Sequence, residues 1–438
     1  MKSFWEKVST EIAVVEKMYA ELDLERRKRG TVDGAVGDGS EGHHSLGAAS
    51  AEAQKRLVRK LDSVERTLSA RRNRKRYRRG VPTDLRPKVW MVVSGALRQK
   101  MLKKGTYQRY LRSVDEIVED IRAFEEIEQD WEELQRDLDM VEQVQLEKEG
   151  GGDGSDGDEH DQSGNGETTG GGRPSGKYFR PSQSTAAINS SGKSTKEMRD
   201  IFKQIDTDAP RVLQDLPRFQ EGGHGRESLR RILRTFCWET KFNGYSQWIG
   251  LIGGLYVEVV DNEEDAFWML YALLHNICPP TFFTSLDAFR VDLLILQELF
   301  RQRIPDATQR LETLQMSVDK YAGRWFLSMY IRTLPLDCVL RVWDILHGER
   351  RNKILFKVAL VLMRMHEADM MDFSDEAEAG VYVSALGRSL RDPDDLIKQC
   401  FDNKVTGRLQ MSLIEARRRK YDQRSLVDDG KYDKWEWW

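Results

Sequence analysis

Arg211 and Gln247 are the side chains of this sequence whose types best suit phosphoryl transfer. That reaction asks a protein for little covalent chemistry. It needs an attacking water held in line and positive charge against the oxygens around the transferred phosphorus. A guanidinium stays protonated, and its planar fork spans two phosphate oxygens. A carboxamide carries one acceptor and two donors on a single plane, enough to orient a water and touch a phosphate oxygen together. Arg211 closes the heptapeptide IDTDAPR (Ile205 to Arg211), and Gln247 closes Gly244-Tyr245-Ser246-Gln247.

Each string alone is ordinary. IDTDAPR also reads as a helix turn with Ile205 in the core and Asp208 near the helix end. VLQDLPR (Val212 to Arg218) fits the same loose spacing, and IEQDWEE (Ile127 to Glu133) fits it except for its arginine. Tyr245 and Gln247 suit a helix-capping turn with a packed tyrosine. Order adds the missing context. RPKVW (Arg86 to Trp90) comes first, then IDTDAPR, a GGHG turn (Gly222 to Gly225), the amphipathic run SLRRILRTFCWE, and GYSQ.

In this order the strings resemble the fingerprint of the TBC domain, a helical GTPase-activating module for Rab-type GTPases. Family members place the arginine roughly a dozen residues before such a turn, which selects Arg211 over Arg218. The resemblance implies a regulator that is not itself an enzyme. It would bind a GTP-bound Rab GTPase and supply Arg211 to neutralise transition-state charge and Gln247 to position the water, both in trans, in vesicle trafficking. Ile205, Asp208 and Tyr245 would support the two fingers. GTP and Mg²⁺ would belong to the partner, and no cofactor of the chain's own is expected. GVPTDLRPKVW (Gly80 to Trp90) looks like the first helix of such a domain. EEDAFWML (Glu263 to Leu270) and GRWFLSMYIRTLPLDCVLRVWDILHGE (Gly323 to Glu349) look like two of its core segments. The chain departs from the family at Trp248, where a small residue is common after the glutamine, and at Ser246, where cysteine is usual. The alternative reading is a catalytically inactive Rab-binding adaptor.

The elements that must hold these residues read as helices. Arg86 and Trp90 stand at i, i+4 on one helix face, after a Pro82 pre-set for helical φ. Stacking or stem packing of Arg86 on Trp90 gives that pair a structural role. Trp325, Phe326, Met329 and Tyr330 keep helical spacing, and Leu340 to Leu346 wrap a second helix, with Leu334-Pro335 between them. From Leu229 onward the apolar period stays near 3.6, and prolines separate successive runs. The expected class is all-α: a TBC-type domain over 79–405, with helical extensions at both ends.

With 32% charged residues, a net charge of −3 and a mean hydropathy of −0.61, much of the chain is solvated. Residues 1–29 read as an amphipathic helix, 30–50 as a flexible Gly/Ser/Ala linker, and 51–78 as a basic helix ending in RRNRKRYRR. Residues 113–149 read as an acidic helical insertion. Its apolar residues recur at threes and fours, which suits a coiled coil or a docking helix for a protein partner. Residues 150–196 lack the apolar content to fold alone and read as a disordered insertion inside the domain. Residues 406–438 read as a basic and aromatic tail with Trp435, Trp437 and Trp438 at its end.

Several functions are excluded on the same grounds. Ser191-Gly192-Lys193-Ser194 imitates the end of a P-loop, but Ala187 stands where its first glycine belongs and no apolar strand precedes it. The seven histidines and four cysteines show no metal-ligand spacing, and the scattered cysteines read as buried thiols in a reducing compartment. The charge balance does not favour nucleic acid. Without a leader, span or lipidation signal the chain is expected in the cytoplasm, meeting membranes only peripherally or through a partner.

Overall fold

The computed structural model describes residues 2–32, 43–149, 195–239, 245–279 and 281–425. Every regular element among the described residues is helical. The chain opens with a helical hairpin, α1 (Lys2–Val32) and α2 (His43–Ser69). Trp5, Val8, Ile12, Val15 and Leu22 on α1 are buried, as are Leu57, Leu61, Val64 and Leu68 on α2; spacings of three and four put each set on one stripe. Helix α2 begins at His43, inside the stretch read as a linker to Ser50, where Ala48, Ala49 and Ala51 favour helix. Residues 33–42 of that linker lie outside the described residues.

The segment read as one basic helix is two. Helix α2 ends at Ser69, the chain turns at Ala70 (ψ 136°), and α3 (Arg74–Arg78) follows. The turn is pinned by the buried Asn73, whose amide donates to the Thr67 carbonyl. Tyr77 slots over Gly348, where an added Cβ would lie 2.4 Å from the ring. Part of the basic run packs on aromatic rings: Arg76 stacks 3.9 Å above the Phe4 ring and Arg78 3.6 Å above Phe401.

Two short helices, α4 (Arg86–Ser94) and α5 (Ala96–Leu102), meet at Gly95, whose left-handed φ of 85° caps the first. The 44-residue α6 (Thr106–Glu149) then begins before the expected insertion boundary at 113. Val114, Ile117 and Ile121 are buried, so the first turns of the acidic segment belong to the domain core. Tyr107 at its start donates to Glu263 at 2.7 Å, and Arg231 grips the same carboxylate. The stretch read as a disordered insertion, including the P-loop imitation, lies outside the described residues as far as 194.

A second group follows: α7 (Thr195–Asp208), α8 (Gly225–Glu239), α9 (Gln247–Val259) and α10 (Glu263–Ala272). The C-terminal half comprises α11 (Asp287–Arg303), α12 (Pro305–Thr313), α13 (Val318–Leu327), α14 (Leu336–Glu349), α15 (Lys353–Met365), α16 (Glu367–Met370), α17 (Glu376–Ala385), α18 (Pro393–Cys400), α19 (Asn403–Thr406) and α20 (Met411–Ser425). Helical spacing misled at one point. Helix α13 stops at Leu327, and Met329 and Tyr330 take positive φ values of 46° and 69°. That uncommon geometry is fixed by burial and by two hydrogen bonds: Trp343 Nε1 donates to the Met329 carbonyl at 3.2 Å, and the Tyr330 hydroxyl to the Leu355 carbonyl at 2.8 Å. The region read as a tail from 406 also belongs to the packed body as far as α20. Ile414 is fully buried, and Arg418 clamps the buried Asp292 through two 2.7 Å contacts. The three tail tryptophans lie outside the described residues.

Asp344 on α14 joins the two ends of the domain. It accepts from the Val81 N–H, Arg86 Nε and Trp90 Nε1, each at 3.0 Å. The Arg86 guanidinium is 6.0 Å from the Trp90 ring, so the ion pair with Asp344, rather than stacking on Trp90, is the main tie. Beside it His347 lies flat on Trp90 with ring centroids 4.5 Å apart. Its Nδ1–H donates to the Trp343 carbonyl and its Nε2 accepts from the Tyr256 hydroxyl, both at 2.9 Å. Burial pushes its pKa down to about 4. The folded protein therefore keeps His347 neutral where the unfolded chain, with an ordinary value near 6.5, takes up a proton. Stability should fall as pH drops from about 6.5 to about 4, by on the order of 3 kcal/mol from this residue. Urea unfolding across that range should show a shallower fall for His347→Gln than for the wild type.

Candidate functional site

Helix α7 runs straight into IDTDAPR. Ile205 is fully buried, Asp208 ends the helix, and a 3-10 turn from Ala209 to Arg211 replaces it, with Pro210 in its first turn. The chain then becomes extended at Val212 and left-handed at Leu213 (φ 44°). A non-glycine residue at positive φ stores strain that its surroundings must hold. Here the hold is a notch on α9: Val212 is buried against Gly254, where a Cβ would come within 2.3 Å of its Cγ1. The notch belongs to a run of glycines on α9, in which Gly250 makes room for the Tyr245 hydroxyl and Gly253 for Leu229. Glycines inside a helix cost stability, so three on one helix mark close approach. The spacing of Gly250, Gly253 and Gly254 is a sequence signal for that close approach.

The result leaves Arg211 exposed. Among the described residues its guanidinium makes no hydrogen bond or ion pair, while Arg332 Nη2 holds its backbone carbonyl at 2.9 Å. Arg218, the competing arginine of the same loose pattern, is occupied: it donates to the Val257 carbonyl at 3.0 Å and to Asp261 at 2.8 Å. The turn that follows is tight against it, since a Cβ on Gly223 would lie 2.3 Å from the Arg218 carbonyl.

Gln247 is the first residue of α9 and exposed, with Ser246 in extended conformation before it. Gly244 lies outside the described residues. Trp248 is half-buried and packs on the core. Tyr245 is buried, and its hydroxyl approaches the Asp208 carboxylate without completing a well-formed hydrogen bond. Each feels the other. Burial holds the Asp208 carboxyl above its usual range, with Tyr245 and Arg211 pulling it down, and burial together with the Asp208 charge pushes the Tyr245 hydroxyl up. The Asp208–Tyr245 approach brings the end of α7 to the start of α9, and with them the segments carrying Arg211 and Gln247. Arg86 and Trp90 are elsewhere, buried around Asp344.

Beyond Arg211 opens a cavity of about 660 Å³ lined by Arg211, Lys320, Arg324, Arg332 and Arg388, with Asp215 as its acid. Lys320 is paired to Glu376 at 2.5 Å, but Arg324 and Arg388 have no ion-pair partner among the described residues. The cavity is therefore strongly positive and attracts an anionic surface. These cations carry no sequence signal, because an isolated arginine on α13 and others in the loops after α13 and α17 form no pattern.

Comparison with known proteins places this architecture. Residues 173–371 match the family model described as the Rab-GTPase-TBC domain, a span that holds IDTDAPR, GYSQ and both core segments but not RPKVW. A TBC domain-containing protein of Schizosaccharomyces pombe is 32% identical over 45% of this chain and 26% of its own length. Growth hormone-regulated TBC protein 1 of Xenopus tropicalis is 30% identical over 39% of this chain and 51% of its own. The chain thus spans about a quarter and about half of these relatives. The crystal structure of a Chlamydomonas flagellar RabGAP TBC domain superimposes with a TM-score of 0.52 at 19% identity, over 89% of this chain and 96% of that one. At that identity the likeness is one of fold. Among the described residues no helix is long and apolar enough to cross a membrane.

Proposed function

We propose that this chain, which carries a Rab-GTPase-TBC domain, stimulates GTP hydrolysis by a Rab-family GTPase with an arginine and a glutamine supplied in trans. Members of this family regulate GTPases rather than turning over substrates of their own. The observation that carries the reading is the contrast between two arginines of one loose pattern: Arg218 is tied into the fold, and Arg211 is exposed on a turn held by Gly254 and Arg332.

In this mechanism the partner brings GTP and Mg²⁺. The positive cavity beside Arg211 draws in the partner's anionic face. Arg211 then reaches the γ-phosphate oxygens, where its planar fork meets charge that grows in the transition state. Gln247 accepts a hydrogen bond from the attacking water and donates to a phosphate oxygen. Asp208 and Tyr245 keep the two segments in register, and Ile205 anchors the helix behind Arg211.

The test is single-turnover hydrolysis by a panel of GTP-loaded Rab GTPases, with and without the full chain. At least one Rab should be accelerated, and Gln247→Ala should lower that acceleration by about 10². If several Rabs bind in the GTP state and none is accelerated, the protein is an adaptor and the catalytic reading is wrong.

A further inference from the structure

We propose that the outer half of α6 is a docking seam for a basic amphipathic helix of a partner protein. The argument begins with phase. Val114, Ile117 and Ile121 face the domain, and the same stripe continues through Glu125 and Glu128. These two acids pair with α7, Glu125 with Lys203 and Glu128 with Arg199, each at 2.8 Å. The apolar residues step out of that stripe. From Phe124 they run Ile127, Trp131, Leu134, Leu138 and Val141, an unbroken 3,4 alternation. Ile127 stands one residue ahead of Glu128, which turns the seam by roughly 100° from the face that meets the domain. Exposure agrees: Phe124 is 40% exposed, Ile127 53%, Leu134 47% and Val141 55%. From Phe124 to Val141 the seam is ~26 Å long at the helical rise.

Charge identifies the occupant. Between Asp115 and Val141 the chain carries twelve acids against two bases, Arg122 and Arg136. With Phe124 at position a, the e and g positions beyond Glu128, which Arg199 already pairs, hold Asp130, Gln135, Asp137 and Glu142. A second copy of α6 would bring the same excess of acids against these, which disfavours self-association. Lysines and arginines at the matching positions of another helix would pair with them. Helix α7 already shows the mode in miniature, since Arg199 and Lys203 meet acids of α6 while the Arg199 guanidinium lies 5.6 Å from the Phe124 ring.

The experiment uses the whole 438-residue chain. Light scattering should find it monomeric. A synthetic four-heptad peptide with Ile at a, Leu at d and Lys at e and g should bind it, and binding should weaken with salt; the same peptide with Glu at e and g should not bind. The double variant Ile127→Asp/Leu134→Asp alters exposed residues, so its melting temperature should match wild type while its affinity for the Lys peptide falls roughly tenfold or more. A dimer through α6, no binding of the Lys peptide, or binding that the double variant leaves unchanged would each overturn the proposal. The last would mean diffuse attraction to an acidic surface.

Discussion

Arg211→Ala is expected to lower the stimulated rate of Rab GTP hydrolysis by on the order of 10³ to 10⁵, the usual contribution of an arginine finger. The fold should survive, because Arg211 is exposed and its guanidinium has no hydrogen bond or ion pair among the described residues; surface changes of this kind stay within about 0.5 kcal/mol. Binding of the GTP-loaded partner should persist, since Arg324, Arg332 and Arg388 still line the cavity. Arg211→Lys should recover little, because a point charge on a flexible stem cannot span two phosphate oxygens as a planar fork does. Single-turnover rates and pull-down of the partner, measured on the same preparations, separate loss of catalysis from loss of binding. If Arg211→Ala keeps more than about a tenth of the stimulation, Arg211 is not the finger.

Asp344→Ala should produce the largest loss of stability, on the order of 3–5 kcal/mol. The carboxylate is fully buried and takes hydrogen bonds from Val81, Arg86 and Trp90. Removing it strands the Arg86 guanidinium in the core with its opposite charge gone, and leaves two further donors without acceptors. An unpaired buried charge costs far more than the pair is worth, so the partner change should relieve part of the damage. Arg86→Met/Asp344→Leu should unfold at higher denaturant than Asp344→Leu alone. Chemical denaturation of the four proteins of that cycle measures the coupling. Equal midpoints for the single and the double variant would mean that Arg86 finds water when Asp344 is lost.

These two residues mark different depths of legibility. The order of strings selects Arg211, yet the groups that hold its turn outward, Gly254 against Val212 and Arg332 on its carbonyl, lie about 40 and 121 residues later in the chain. RPKVW was read as an Arg resting on a Trp of the same helix. The acid that holds both sits 258 residues from Arg86 and carries no local mark. The packing of Trp248 on the core is equally invisible in the sequence, since burial depends on what lies opposite.

Local order came from the sequence itself. The 3.6 period of apolar residues specified an all-helical chain, and the sequence strings specified the TBC resemblance, because helix geometry and turn chemistry are set by neighbours a few residues apart. Tertiary structure decided the rest: where the acidic helix leaves the domain, that Met329 and Tyr330 abandon helical φ to fill the core, that α20 belongs to the body, and which arginines remain unpaired. Those outcomes are set by packing and charge partners brought together across long stretches of chain, and a period or motif has no access to a partner that far away.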